Sequence, residues 1–354
     1  MAAAARWPTS PNPCVGAVIT SPSGEIVSEG ATSPPPGPHA EVAALEAAGD
    51  RSAGATLYVT LEPCSHHGRT PPCAETLVAA GIRRVVVAVE DPDPHVAGKG
   101  LAVLRDAGVS VEVGVAADLV SEQLAAYLKH RRTGRPFVVL KLATTLDGRT
   151  AAPDGSSRWI TGPEARRDAH LLRRQSDAVL VGAGTVRADD PELTVRQGVA
   201  DAGGAEAEGD GVARADSGAV PAESRQPLRV VLGRVPDGAK VLPALEMSGD
   251  LHVVLDDLGR RGVLQLLVEG GARVAYDFQA AGLVDRYVIY VAPAFLGGDD
   301  GHPVLAGPGA RTMEQVWRGR VRSVRRLGDD IRIELEPRDP TARRRSGPTE
   351  GQVG

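Results

Sequence analysis

Two α/β domains in succession are predicted by three features of the sequence. These are its length of 354 residues, apolar runs of strand length that alternate with helical stretches, and one break at Thr133-Gly134-Arg135-Pro136. A single hydrophobic core stops growing at about 250–300 residues, so a chain this long divides. Hydrophobic residues at 42% and charged residues at 24% supply enough apolar surface to bury genuine cores.

The elements follow in order. In the first half an apolar strand is predicted at 15–20, a helix at 40–48, a strand at 56–61, a helix at 74–80 and a strand at 84–89. A helix at 100–107, a strand at 110–115 and a helix at 121–132 complete the domain, which we bound at residues 1–133. Gly134 terminates that helix and Pro136 cannot continue it. The second domain, 137–337, has buried strands at 137–143, 178–181, 228–232, 264–268, 287–292 and 331–335, with helices at 163–175 and 272–281. Residues 197–226 turn to Ala, Gly, Asp and Glu without periodicity, which reads as a mobile surface insertion. Residues 338–354 read as a solvated tail.

Bulk properties narrow the functional classes. A net charge of -5 lacks the basic surface of a nucleic-acid binder, so no polynucleotide partner is expected. No segment reaches the roughly 18–20 apolar residues of a membrane span, and the N-terminus lacks the apolar centre of a signal peptide. Three cysteines, Cys14, Cys64 and Cys73, suit a reducing compartment and metal or catalytic use better than a disulfide framework. The expected location is the cytoplasm.

Chemistry concentrates around two of those cysteines. Pro38-His39-Ala40-Glu41 opens a predicted helix, and Glu62-Pro63-Cys64 follows a strand before a loop that ends at Cys73. His39, Cys64 and Cys73 make three protein ligands for zinc and leave a fourth tetrahedral position for water, as a catalytic site requires. Glu41 is placed to move protons between that water and a departing amine. His-x-Glu with Pro-Cys is the arrangement of zinc nucleobase deaminases, in which the Glu is not a ligand. Here eight residues, Ser65 to Pro72, separate the thiols instead of two. His66, His67 and Arg69 in that loop are candidates for the pocket rim. Cys14, flanked by strand residues, reads as a buried core thiol.

The second domain has no G-x-G-x-x-G fingerprint, since Arg187 stands where the third glycine would be needed after Gly182-Ala183-Gly184. Glu269-Gly270-Gly271 ends a strand and opens a helix, a place where backbone N–H groups can hold a pyrophosphate. Lys141 lies in an apolar strand and needs a partner, either Asp147 or a substrate.

The run LEPCSHHGRTPPCAETLVAAGIRRVVVAVEDPDPHVAGKG, with SPNPCVGAVI and PHAEVAAL before it, resembles the bifunctional riboflavin-biosynthesis deaminase/reductase family of bacteria. The likeness continues through KLATTLDGRTA, SSRWITGPEARRD, GAGTVRADDPELTVR, VEGGARVAYDF and GLVDRYVIYVAPAFLGG. It implies a cytidine-deaminase-like zinc domain followed by a dihydrofolate-reductase-like domain. It also implies deamination of a diaminopyrimidinone carrying a phosphoribosylamino group, then reduction of the ribosyl group to ribityl with NADPH. In that family Asn12 would contact the pyrimidine. Ala143, Trp159, Thr185, Asp189, Gly271, Ala272, Arg273, Val274, Ala275, Tyr276 and Asp277 would contact NADPH, with Asp189 also assisting catalysis. Ser157, Arg173, Leu193, Arg196 and Glu269 would contact the substrate, the two arginines suiting its phosphate. A homo-oligomer is the family's habit. The chain departs from the pattern after Gly30, where an aromatic-His pair is replaced by Ala31-Thr32. Two further readings are a deaminase/reductase acting on a related pyrimidine or pteridine, and a module with one or both activities lost.

Overall fold

The alternation of strands and helices read from the sequence is present in the structure, a computed structural model that describes Ala2 and residues 9–65, 71–195 and 226–338. The insertion expected at 197–226 and the tail at 338–354 fall almost wholly outside those residues, as do His66, His67, Arg69 and Arg196. Two compact units are formed, Met1–Phe137 with His252–Gln265, and Val138–Leu251 with Leu266–Gly354.

The first unit carries strands β1 (Gly16–Thr20), β2 (Ile26–Ala31), β3 (Thr56–Leu61), β4 (Arg84–Val89) and β5 (Ser110–Val113). Its helices are α1 (Ala40–Ala48), α2 (Cys73–Ala79), α3 (Lys99–Asp106), α4 (Ala117–Gln123) and α5 (Ala125–Thr133). The sheet order is β2-β1-β3-β4-β5. β1 runs antiparallel to β2 and β3, while β3, β4 and β5 run parallel. Ala40, Glu41, Ala44, Leu45 and Ala48 form the buried face of α1 at helical spacing. Small residues let that face approach β2 closely: a Cβ on Gly30 would lie 2.3 Å from the Ala40 carbonyl oxygen. β2 escapes the sequence reading because its inward positions are Ser28 and Gly30, which make no apolar run. The single helix expected at 121–132 is two helices, broken at Leu124 (φ -94°, ψ 9°).

The second unit carries β6 (Phe137–Thr145), β7 (Arg149–Ala151), α6 (Pro163–Arg174), β8 (Ala178–Gly182), α7 (Ala183–Asp189), β9 (Leu228–Leu232) and β10 (Leu245–Met247). After helix α8 (Leu251–Arg260) come β11 (Gln265–Gly270), α9 (Ala272–Ala280), β12 (Arg286–Ala292), β13 (His302–Pro303), β14 (Gly319–Leu327) and β15 (Asp330–Pro337). Eight strands form one sheet in the order β10-β9-β8-β11-β6-β12-β15-β14. β10, β9, β8 and β11 pair in parallel, as do β6 and β12, and β15 and β14 add an antiparallel hairpin. Every residue of β8, Ala-Val-Leu-Val-Gly, is buried, which is why it reads as a continuous apolar run. β14 was not expected, because four of its nine residues are arginine and most are exposed. It is the edge strand, where long cations discourage further strand addition. From His252 onward α8 groups with the first unit, where Asp256 pairs with Arg135 at 2.6 Å.

Candidate active sites

Each unit holds one cleft that gathers predicted site residues. In the first unit, β2 and α1 fix the approach to the metal-ligating residues. His39 is the N-cap of α1, with extended backbone (φ -69°, ψ 160°), and Glu41 lies in the first turn of the same helix. Cys64 follows β3, and Cys73 is the first residue of α2. The Cys73 N–H donates to Cys64 Sγ at 3.4 Å, so both sulfurs sit at the positive end of α2. His39 Nδ1 lies 3.3 Å from Cys73 Sγ and 3.7 Å from Cys64 Sγ, and the three ligand atoms fall within 4.8 Å of one another. An imidazole and two thiols converging in this way fit a zinc ion with one open position. Hydrogen bonding from Cys73, then from His39, holds the Cys64 thiol well below its ordinary range. Burial pushes the Glu41 carboxyl up to about 7, where it can both accept and return a proton near neutral pH.

A cavity of about 210 Å³ opens beside this triad, lined by Asn12, Thr32, His39, Glu41 and Cys64 among others. Asn12 therefore reaches the same cleft as the metal ligands. Thr32 is buried and accepts the Val15 N–H at 3.1 Å. Cys14 is a buried core residue, as expected. Sequence reasoning missed Asp91, Asp93, Tyr127 and Arg131, which also line the cavity. A signal existed for the first two: they lie just past the C-terminal end of β4, and ligands gather outside the carboxyl ends of parallel strands. Asp91 and the loop around it are held by Glu62. The Glu62 carboxylate accepts four backbone N–H groups, from Asp91, Gly98, Gly100 and Leu101.

In the second unit, neighbouring parallel strands β8 and β11 each run directly into a helix. The end of β8 packs closely on α9, since a Cβ on Gly182 would lie 2.8 Å from Val274 Cγ2. Gly270, at φ +94°, turns the chain into α9, and the Gly271 N–H donates to Thr185 Oγ1 at 2.8 Å. Glycine backbone at a helix start, next to a hydroxyl from the first turn of α7, fits the pyrophosphate of a dinucleotide. Beside it lies a cleft of about 770 Å³. Ala143, Trp159, Thr185, Asp189, Ser157, Arg173, Leu193 and Glu269 all line it. The remaining helix residues do not converge there: Ala275 is buried in the core, and Arg273 pairs with Asp277 at 3.1 Å on an exposed surface.

Two details amend the sequence reading. Arg173 does not stand as an unshared phosphate clamp, because it forms a bidentate pair with Glu269, NH2 to Oε2 at 2.9 Å, and donates to the Thr194 carbonyl. Burial alone would raise the Glu269 carboxyl, but Arg173, with help from Lys141, carries it down to about 2. Lys141 lines this cleft and faces Glu269, so Asp147 is not its partner. Asp147 instead accepts the backbone N–H groups of Leu296 and Gly297. Trp159 is 67% exposed, with the Arg166 guanidinium 4.4 Å from its ring centre.

Residues 1–89 match the cytidine and deoxycytidylate deaminase zinc-binding region, and residues 136–333 match the RibD C-terminal domain. Riboflavin biosynthesis protein RibD of Escherichia coli K12 is 40% identical, with 93% of this chain and 95% of the relative covered. The chain belongs to the RibD family. RibD of Mycobacterium tuberculosis H37Rv is 43% identical over 93% of this chain and 92% of its own length. Among solved structures, Acinetobacter baumannii RibD superposes with a TM-score of 0.84 at 38% identity, covering 96% of both chains. A Thermotoga maritima protein described as a diaminohydroxyphosphoribosylaminopyrimidine deaminase/5-amino-6-(5-phosphoribosylamino)uracil reductase superposes with a TM-score of 0.78 at 32% identity, covering 94% of this chain and 95% of that one. As a RibD-family member the chain is a bifunctional enzyme of riboflavin biosynthesis, a deaminase and a reductase, with zinc and NADPH as its cofactors.

Proposed function

We propose that residues 1–133 deaminate a diaminopyrimidinone ribosylamine 5-phosphate and that residues 137–337 then reduce its ribosyl group to ribityl. The observation that carries this reading is the convergence of His39, Cys64 and Cys73 beside the buried Glu41 in one cleft. A purely structural metal has no use for a neighbouring proton carrier.

Zinc held by His39, Cys64 and Cys73 supplies the Lewis acidity that lets water attack at neutral pH. Asn12 orients the pyrimidine in the cavity. Glu41 takes a proton from the attacking water and returns it to the amine, which leaves as ammonia while the ring carbon becomes a carbonyl. In the second cleft, bound NADPH supplies the hydride for the sugar's first carbon. The start of α9 at Gly271, braced by Thr185, would hold the cofactor's pyrophosphate, with Trp159 and Ala143 beside it. Asp189 gives the ring oxygen its proton as the ribose opens. Glu269 and Lys141 orient the substrate, Ser157 and Leu193 shape its seat, and Arg196 contributes from outside the described residues. We place the enzyme in the cytoplasm as a homo-oligomer. No helix among the described residues is long and apolar enough to cross a membrane.

The test supplies the purified, zinc-loaded protein with the diaminopyrimidinone ribosylamine phosphate and follows ammonia release and NADPH oxidation. Ammonia first, with NADPH loss after it, is the expected result. Ammonia alone removes the reductase assignment, and neither signal removes the substrate assignment.

A further inference from the structure

The first cleft must accept a phosphorylated substrate, yet its described lining is rich in acids. Glu41, Glu62, Asp91 and Asp93 contribute to it, and apart from the metal ligand His39 the one cation among the described residues that line it is Arg131. Most of those acids are already engaged. Glu62 holds four backbone N–H groups, and Asp91 accepts the Tyr127 hydroxyl and the Asp93 N–H, both at 2.9 Å. Asp93 accepts the His95 N–H through its other oxygen.

Arg131 comes from the last turn of α5. Its guanidinium carbon lies 5.1 Å from the centre of the Tyr127 ring, and its Nε lies 3.5 Å from Asp93 Oδ2. That separation exceeds the about 3.2 Å of an ordinary N–H···O bond. The buried Nε has no hydrogen-bond partner among the described residues. The group is thus aimed by a ring and a carboxylate without being saturated by either, and about a third of the side chain (32%) remains open to solvent. A guanidinium in this condition keeps its forked donors for an oxyanion.

We propose that Arg131 recognises the phosphate of the deaminase substrate and selects phosphorylated over dephosphorylated pyrimidine ribosylamines. Asp91 and Asp93 then face the substrate's amine and N–H donors, and Arg131 faces its one anionic group. Tyr127 and Asp93 act as positioning residues for the guanidinium. This inference rests on the reading of the first cleft as a deaminase of a phosphorylated pyrimidine.

The test uses full-length, zinc-loaded R131M and R131K and measures ammonia release from the phosphorylated ribosylamine and from its dephosphorylated counterpart. R131M should raise KM for the phosphorylated substrate roughly 10- to 100-fold, the range of a lost charge-assisted bond, with kcat, zinc content and melting temperature retained. KM for the dephosphorylated substrate should stay within about twofold, and R131K should recover part of the loss. The wild-type KM should rise with ionic strength and the R131M value should not. Equal losses on both substrates would assign Arg131 a structural role and overturn the proposal. An unchanged KM would place phosphate recognition elsewhere and also overturn it. If the wild type releases no ammonia from the phosphorylated compound, the deaminase reading fails first and takes this inference with it.

Discussion

Arg173 on α6 and Glu269 on β11 meet as a bidentate ion pair in the reductase cleft, with Lys141 facing the same carboxylate. The carboxyl is held at about 2 against an ordinary 4.5. A depressed carboxyl stabilises the fold fully above 4.5 and loses that contribution as pH falls through about 2. The difference, about 2.5 pH units, corresponds to about 3 kcal/mol. Glu269→Gln should therefore be less stable than wild type by about that amount at pH 6, and denaturant melts of the two proteins should converge as pH approaches 2. A constant gap across that window would refute the linkage.

Glu41 carries the proton traffic of deamination but is not a metal ligand. Glu41→Gln should lower ammonia release about 10²- to 10⁴-fold, with zinc content by elemental analysis unchanged. Loss of zinc together with activity would instead make Glu41 a structural part of the metal corner.

Gly30 has no room for a side chain, because a Cβ there would lie 2.3 Å from the Ala40 carbonyl oxygen and 2.5 Å from the Ala44 nitrogen. Gly30→Ala must push α1 away, and α1 is capped by His39 and carries Glu41. We expect impaired zinc retention and deaminase loss, with a destabilisation of about 1–3 kcal/mol, while NADPH titration of the second unit is unaffected. Normal zinc binding and turnover in this variant would show that α1 does not need that close approach.

Thr185 supplies the acceptor for the Gly271 N–H. Thr185→Val removes the acceptor while keeping the shape, so the helix start loses its orientation. KM for NADPH should rise roughly 2- to 13-fold, the worth of about one net hydrogen bond, with a smaller effect on kcat. An unaltered NADPH KM would remove Thr185 from the cofactor seat.

What was legible in the sequence is what local chemistry encodes. The buried parallel strand β8 announces itself as Ala-Val-Leu-Val, and the metal triad is readable because its motifs leave few other uses for a His and two Cys. β14 was not readable, since Arg320, Arg322, Arg325 and Arg326 obscure the period-two signal in a strand at the sheet edge. The pairing of Arg173 with Glu269 spans 96 positions, and only the packing of α6 against the sheet end brings the two together. Tyr127 and Arg131 belong to the helix expected at 121–132, but their place in the cleft depends on the break at Leu124, which no local signal marked.

Glu62 immediately precedes Pro63-Cys64, and its carboxylate ties the metal-ligand loop to the chain from Asp91 to Leu101. One side chain thus joins the element that binds the ion to the element that borders the substrate. Free energy deposited on either side of such a joint is felt on the other by an equal amount. A bound pyrimidine that steadies Asp91 and Asp93 should lower the zinc Kd measured by chelator competition, and zinc should tighten the pyrimidine by the same factor. Glu62→Gln should weaken that coupling, bringing the zinc Kd with and without the pyrimidine closer together.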